Sequence, residues 1–506
     1  MGYRGVFLSV ILVSLLTIGI MIQYHFFAQN TNEETTEITG DILWVFKANG
    51  PVISTPALGD LDGDGLLEVV FGSKDGNVYA LNGQNGSPLW IFETLGPICS
   101  SPALGDIDND GSLEVVIGSN DGNIYALNGE DGSLLWNITV PGYVDRSPAI
   151  ADLDGDGSLE VIFSYNNFTT YGPTIGTLYN ISGLYVVEGN DGSLVWHKRI
   201  PNGVSSPAIG DINRDGYLDV VIYGNYSKVL VLNGLNGSIL WSNLFDMNAY
   251  FVFEHPFDSA PVLADINQDG KLEVIAFRNW VIIFNSSTGE YLLNYYTDVP
   301  CEVSYGWGTP AIGDIDGDEE LEIVAIGELG VYIYKPISKK FKLYKLWNFS
   351  SLEVTSPGLA DFTGDGIPEI VAVNSKGFIG IVSGIGEDEF WSYGNILWST
   401  RTNDSSIKSS PAIGDIDNDG DLDLVICDTR GFVYGFSLDN AGSKIYWQAM
   451  RGTFRSERNL NFAGARARLS YHGTSLGRST NIAHISNNYI KADLIRKLLY
   501  VTKNQK

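Results

Sequence analysis

One acidic loop recurs eight times along this chain, and it constrains the fold more than any other feature. Its first copy carries Asp60, Asp62, Asp64, Gly65 and Glu68 at positions 1, 3, 5, 6 and 9. Further copies begin at Asp106, Asp152, Asp211, Asp265, Asp314, Asp361 and Asp415, 46 to 59 residues apart. A regular period of about 40–50 residues marks a closed ring, a solenoid or a linear array of small units. Length alone would divide 506 residues into several domains. The repeat argues instead for one large array.

The second repeat shows what each unit is. Between Pro102 and Val140 lie four apolar runs, Pro102–Ile107, Leu113–Gly118, Asn123–Leu127 and Leu134–Val140. Each has strand length and is bounded by Gly, Asp and Asn turns. Asn120-Asp121-Gly122 is a hairpin signal, because glycine supplies the positive φ of a tight turn. No amphipathic helix fits inside the unit. A four-stranded antiparallel meander cannot bury both faces alone, but eight of them packed around an axis can. The expected fold is therefore all-β, an eight-bladed wheel over residues 41–450. Trp90, Trp136, Trp196, Trp241, Trp347, Trp398 and Trp447 are expected on fourth strands as core aromatics between blades. The fifth repeat has Tyr291–Tyr296 there. Ring closure has two candidates, the segment around Trp44 and that around Trp447, and the sequence does not choose.

The loop chemistry points to a hard cation. Calcium takes about six to eight oxygens in flexible geometry. The first three loops offer Asp60, Asp62, Asp64 and Glu68, then Asp106, Asp108, Asp110 and Glu114, then Asp152, Asp154, Asp156 and Glu160. Backbone carbonyls of Leu66, Ser112 and Ser158 stand at position 7. Loop four has Asp211, Asn213, Asp215, Tyr217 (carbonyl) and Asp219; loop five has Asp265, Asn267, Asp269, Lys271 (carbonyl) and Glu273. Loop six has Asp314, Asp316, Asp318, Glu320 (carbonyl) and Glu322, with Glu319 where the others have glycine at position 6. Loop seven has Asp361, Thr363, Asp365, Ile367 (carbonyl) and Glu369; loop eight has Asp415, Asp417, Asp419, Asp421 (carbonyl) and Asp423. Position 12 is apolar (Phe71, Ile117, Phe163), which excludes an EF-hand. Up to eight Ca2+ ions are expected, with magnesium second because it demands stricter octahedral geometry. The competing reading is a set of Asp-rich turns held by Asx hydrogen bonds alone.

The formal net charge is −29, and side-chain carboxylates at positions 1, 3, 5 and 9 also number 29. The acidity thus belongs largely to the loops. Nucleic acid is an unsuitable partner, since phosphate binding needs a basic stripe. The cysteines Cys99, Cys301 and Cys427 form no CxxC or Cys/His cluster, so zinc and redox motifs are absent.

Residues 1–40 form an expected N-terminal unit. Arg4 precedes an apolar stretch from Val6 to Phe27, long enough for a membrane helix, and an acidic stretch follows from Asn30 to Asp41. That polarity predicts a single-pass anchor with the body outside the cell. A cleaved signal peptide and a secreted body are the alternative. N-x-Ser/Thr sequons at Asn85, Asn137, Asn167, Asn180, Asn225, Asn236, Asn285, Asn348 and Asn403 fit an exported glycoprotein. Residues 451–506 lack the repeat, carry 11 Lys/Arg and only Glu457 and Asp493 as acids, and read as a basic tail, disordered or with a short helix at Ile490–Val501.

Two families share these motifs. The Ser-Pro-Ala-Leu-Gly-Asp106 start with its acidic loop resembles the FG-GAP/VCBS repeat of integrin-like propellers. The Asp121-Gly-Asn-Ile-Tyr-Ala-Leu-Asn-Gly half, closing on Trp136, resembles the repeat of quinoprotein-type eight-bladed propellers. The resemblance covers about residues 41–450 and implies a β-propeller with calcium between the first two strands of each blade. It does not settle an activity.

Insertions concentrate on the face opposite the loops. They are Tyr165–Gly183 with Phe168, Tyr171 and Tyr179, Asn243–Ser259 with Tyr250, Phe251, Phe253 and Phe257, and a connection with Tyr305 and Trp307. Aromatic loops on a rigid scaffold are candidate surfaces for a protein or glycan ligand, or else covers for blade ends and channel. Phe390-Trp391-Ser-Tyr393 falls on the loop face. A calcium-binding surface module for binding or adhesion is the expected function. A propeller polysaccharide lyase is one alternative, with His255 between Glu254 and Asp258 as its sole catalytic cluster. A quinoprotein-like dehydrogenase is another, without the adjacent cysteines such enzymes often carry. No nucleophile–base pair is visible.

Overall fold

The meander predicted for one repeat is built eight times. In a computed structural model, the described residues run from 38 to 456. They leave out 172–177, 202, 225–227, 245–258, 278–280, 295–307, 328–329, 338–339, 348–354, 385–394, 403–405, 440 and 451–452. The second repeat forms strands Ala103–Gly105, Glu114–Gly118, Asn123–Asn128 and Leu134–Thr139, paired antiparallel in that order. Its neighbours repeat the pattern, giving eight sheets and an eight-bladed β-propeller. No helix occurs among the described residues, and none there is long and apolar enough to cross a membrane. The predicted N-terminal helix falls in 1–37, outside the described residues, as does the tail beyond 456.

Second strands are the most buried. Glu68–Gly72, Glu114–Gly118 and Asp423–Cys427 are buried at every position, as strands covered on both faces must be. Their apolar side chains pack into clusters that cross from blade to blade. Val69 and Phe71 of blade one meet Val425 and Cys427 of blade eight, for example.

The last blade consists of Ala412–Gly414, Asp423–Cys427, Phe432–Asp439 and, as its fourth strand, Thr39–Lys47 from the other end of the described chain. The Trp44 segment therefore closes the ring. The Trp447 segment does something else. Lys444–Met450 pairs with Gly358–Asp361, the innermost strand of blade seven, and folds back as a hairpin onto Thr453–Ser456. It also touches the innermost strands of blades six and eight, so it lies in the central channel. Tyr446 is buried there and donates its hydroxyl to the Gly366 carbonyl at 2.6 Å. Trp447 is thus not a fourth-strand residue.

The remaining tryptophans act as expected, with one exception in register. The indole N–H of Trp44, Trp90, Trp136 and Trp196 donates to a turn carbonyl of the next blade (Gly83, Gly129, Gly189, Gly234) at 2.5–2.7 Å. Trp241 donates to Ser286 in the same way. A Cβ at Gly86 would stand 2.7 Å from the Trp44 ring, so this turn must be glycine. In blade six the register places Tyr344 at the tryptophan position and Trp347 at the strand's far end.

A second blade-to-blade link was not anticipated. The Ser/Thr at the start of each repeat accepts a hydrogen bond from the backbone N–H of its counterpart one blade earlier. The chain runs Thr55 to Ser101, Ser101 to Ser147 and Ser147 to Ser206. It resumes with Ala260 to Thr309, Thr309 to Ser356, Ser356 to Ser410 and Ser410 back to Thr55, all at 2.9–3.2 Å. The belt is open at one joint: Ala260 has no hydroxyl to offer Ser206.

Candidate metal centres

Each acidic loop joins the first strand of a blade to the second. Positions 4 and 6 have positive φ in all eight loops. Glycine or Asn fills most of them, and Arg214, Gln268 and Glu319 fill the rest. Nothing lies within 4 Å of a Cβ added at Gly65 or Gly111, so backbone conformation rather than crowding favours glycine. The absence of glycine at position 6 in blade six does not alter the turn. Glu319 adopts φ 71° and its N–H still bonds Asp314, at 2.9 Å.

Asx hydrogen bonds do hold these turns. Position 1 accepts from the N–H of position 6 in every loop, as in Gly65 to Asp60 at 3.1 Å and Gly366 to Asp361 at 2.8 Å. Position 5 caps the N–H of position 7, as in Leu66 to Asp64 at 2.8 Å. The carboxylate at position 9 starts the second strand, is buried, and accepts from the N–H of position 2. Examples are Leu61 to Glu68 at 2.8 Å, Leu153 to Glu160 at 2.6 Å and Ile416 to Asp423 at 2.9 Å.

These bonds leave oxygens over. Glu68 Oε1, Asp106 Oδ1, Glu114 Oε1, Asp211 Oδ1, Asp219 Oδ1, Asp316 Oδ1 and Glu322 Oε1 are buried with no hydrogen-bond donor. A buried carboxylate oxygen without a donor is costly. Positions 1, 3 and 9 bring one oxygen each to within 4.8 Å of one another in blades one, two, three, six and eight. The groups are Asp60/Asp62/Glu68, Asp106/Asp108/Glu114, Asp152/Asp154/Glu160, Asp314/Asp316/Glu322 and Asp415/Asp417/Asp423. Each such group could hold a metal ion. The donor set is all oxygen, and five of the seven unsatisfied oxygens belong to it, so these residues fit a hard cation. Blades four, five and seven have Asn213, Asn267 and Thr363 at position 3. Asn213 and Asn267 each cap the N–H of position 5; Thr363 Oγ1 bonds Glu369 at 3.2 Å.

The crowding shows in the electrostatics. Burial, with the neighbouring aspartates adding to it, pushes the position 9 carboxyls far above their usual range. Glu68, Glu114, Glu273 and Glu369 reach about 7, Glu160, Glu322 and Asp423 about 8, and Asp219 about 6. Burial also raises Asp62 and Asp108, helped by Asp64 and Asp110.

The residue facing position 9 on the third strand differs among blades. It is Asn82 in blade one, Asn128 in blade two and Glu188 in blade three. One register step beyond the last pairs of the other blades gives Asn233, Asn285, Lys335, Ser383 and Ser437. Glu188 adds a fifth carboxylate in blade three; burial raises it, with Asp154 and Asp156 contributing. Lys335 reaches into loop six. Its ammonium bonds Asp316 Oδ2, bonds Asp318 Oδ2 at 2.6 Å, and lies 3.6 Å from Glu322 Oε1. Burial alone would lower its pKa, but the bonds to Asp316 and Asp318 prevail and raise it. These facing residues went unnoticed in the sequence because they lie 12–28 residues from the carboxylate they meet.

The aromatic candidates on the opposite face are mostly beyond reach. Tyr165–Gly183 proves to be an extension of a hairpin, with strands Glu160–Tyr171 and Leu178–Glu188, rather than a loose loop. Residues 245–258, with Tyr250, Phe251, Phe253, His255 and Phe257, lie outside the described residues, as do Tyr305, Trp307 and Phe390–Tyr393.

The sequence profile of the FG-GAP-like repeat matches residues 60–117, 106–163, 211–276 and 361–426. The chain is an eight-bladed β-propeller carrying FG-GAP-like repeats. Comparison with curated protein sequences found no match. Among solved structures, BamB from Moraxella catarrhalis is similar at 16% identity, covering 79% of this chain and 98% of that one, with a TM-score of 0.50. Sqt1 of Saccharomyces cerevisiae is similar at 11% identity, covering 78% and 98%, with a TM-score of 0.53. A europium-containing methanol dehydrogenase, a quinoprotein-type propeller, follows at 11% identity, covering 79% and 93%, with a TM-score of 0.50. At these identities the likeness is one of fold.

Proposed function

We propose that this chain is a calcium-stabilised propeller displayed at the cell surface, where it serves as a binding or adhesion module. The supporting observation is the set of buried carboxylate oxygens without donors in loops of all-oxygen composition. Calcium at the loops beginning at Asp60, Asp106, Asp152 and Asp415 offsets that charge; sodium carries too little charge and magnesium holds its waters too firmly. The ions' role is structural: they hold together carboxylates that otherwise repel.

The N-terminal apolar stretch serves as the anchor, and the sequons are used on the exported body. The protein or glycan ligand binds the face opposite the calcium loops, where the aromatic insertions collect. A binding role also accords with the hairpin on the innermost strand of blade seven. It occupies part of the axial channel where a small-molecule pocket would otherwise open.

The test is a screen of the full-length chain, in detergent or displayed on cells, against glycans and surface proteins with calcium and with EGTA. Calcium-dependent capture of one ligand class is expected. Release of an unsaturated product from polyuronate, read by absorbance, would replace this reading with a lyase. Dye reduction with an alcohol and added quinone cofactor would replace it with a dehydrogenase.

A further inference from the structure

Blade six breaks the pattern of the other loops in three independent ways. Glutamate, not glycine, sits at position 6, and Glu319 holds the left-handed conformation at φ 71°. The FG-GAP-like profile takes in the loops of seven blades and passes over the one at Asp314. Above all, a lysine faces position 9 where the other blades have Asn, Ser or Glu.

We propose that blade six holds no metal ion and that the Lys335 ammonium takes the ion's place. The donor set there does not suit a calcium ion while Lys335 is in position. The ammonium already contacts Asp316 Oδ2 and Asp318 Oδ2 and stands 3.6 Å from Glu322 Oε1. A calcium ion would sit about 2.3–2.6 Å from these same ligand positions. Two cations would then share one small cage at direct contact, which Coulomb repulsion forbids at so short a range. The side chain is 12% exposed, so water screens it little. An ammonium is a compact point charge on a flexible four-carbon stem, suited to reaching a buried cluster from the neighbouring strand. Two of its protons serve Asp316 and Asp318, and Glu322 Oε1 lies within ion-pair range. Tethering removes the dependence on ion concentration: loop six keeps its cation where the others must bind theirs from solution.

The inference rests on the reading that the other loops take calcium, and the test separates the two. The full-length chain is stripped with EGTA, titrated with calcium and counted by native mass spectrometry. Lys335→Gln should bind one ion more than the wild type. Asn128→Lys places an ammonium at the matching register position of blade two, and should bind one ion fewer. Equal counts for the wild type and Lys335→Gln, with other loops loaded, would overturn the role of Lys335 and leave the calcium reading standing. A wild type that binds no ion at all would overturn both. If Lys335→Gln does not fold, Asn128→Lys decides, and an unchanged count there overturns the proposal.

Discussion

Blades three and six fold the same nine-residue loop and load it with charge in opposite ways. In blade three, Glu188 faces Glu160 across the sheet and brings a fifth carboxylate to a crowded site. In blade six the facing residue is Lys335, which bonds two of the loop's aspartates. The turns are nonetheless alike. Asp152 and Asp314 each accept from the N–H groups three and five residues further on, at positions 4 and 6. Loop geometry is thus set by Asx bonds and backbone φ, whereas charge balance is set across the sheet. The first leaves room for variation in the second.

The comparison can be broken most forcefully by chelation. An ion at a hundred times its dissociation constant contributes about 2.7 kcal/mol per site. Stripping several sites with EGTA should lower Tm by well over a few degrees. Hydrogen exchange should rise at residues 152–160 and stay unchanged at 314–322. Equal deprotection of both loops would erase the distinction; an unmoved melting curve with no bound metal would remove the ions altogether.

Removing the tethered cation comes next. Lys335→Gln leaves partly buried Asp316 and buried Glu322 without their partner, and the loss should fall below the roughly 3–5 kcal/mol of a fully buried pair. The loss should appear in EGTA and shrink in calcium. A loss equal in both conditions would assign Lys335 a packing role.

The pH response should distinguish stripped from loaded protein. Position 9 carboxyls in the folded chain sit at about 6 to about 8, above their unfolded values. In stripped protein their contribution is therefore fully present below the unfolded pKa and lost as pH rises through that window. Calcium requires the deprotonated form, so its contribution grows over the same window. Melting curves with and without calcium should converge near pH 6 and separate toward pH 8.5. Curves that stay parallel would count against these groups as ligands.

Smaller effects are expected elsewhere. Glu188→Gln relieves a like-charge cross-strand pair, which should stabilise stripped protein by about 0.2–1 kcal/mol and weaken calcium binding in blade three. A gain in affinity would contradict the role given to Glu188. Ala260→Ser supplies the missing hydroxyl of the inter-blade belt. One added hydrogen bond should raise stability by about 0.5–1.5 kcal/mol, measured by urea denaturation. A loss would mean that the blade five joint cannot admit the oxygen.

Sequence alone determined the parts governed by short range. The loop residues, the glycines at positive φ and the four strands of each repeat follow from neighbours a few positions apart, and the period then requires a ring or array. Tertiary structure decided what depends on distant partners. The segments Ile42-Leu43-Trp44 and Ile445-Tyr446-Trp447 carry the same local pattern. One closes the last blade and the other lines the channel, because closure pairs Thr39 with Asp439 and the second segment then pairs with the inner edge of blade seven. The belt of Ser and Thr hydroxyls joins residues 46 to 355 positions apart. Lys335 reads in sequence as an ordinary strand lysine, and only the pairing of Ile323 with Tyr334 carries it over the carboxylates of loop six. Such contacts are fixed by register and ring closure, which no local pattern encodes.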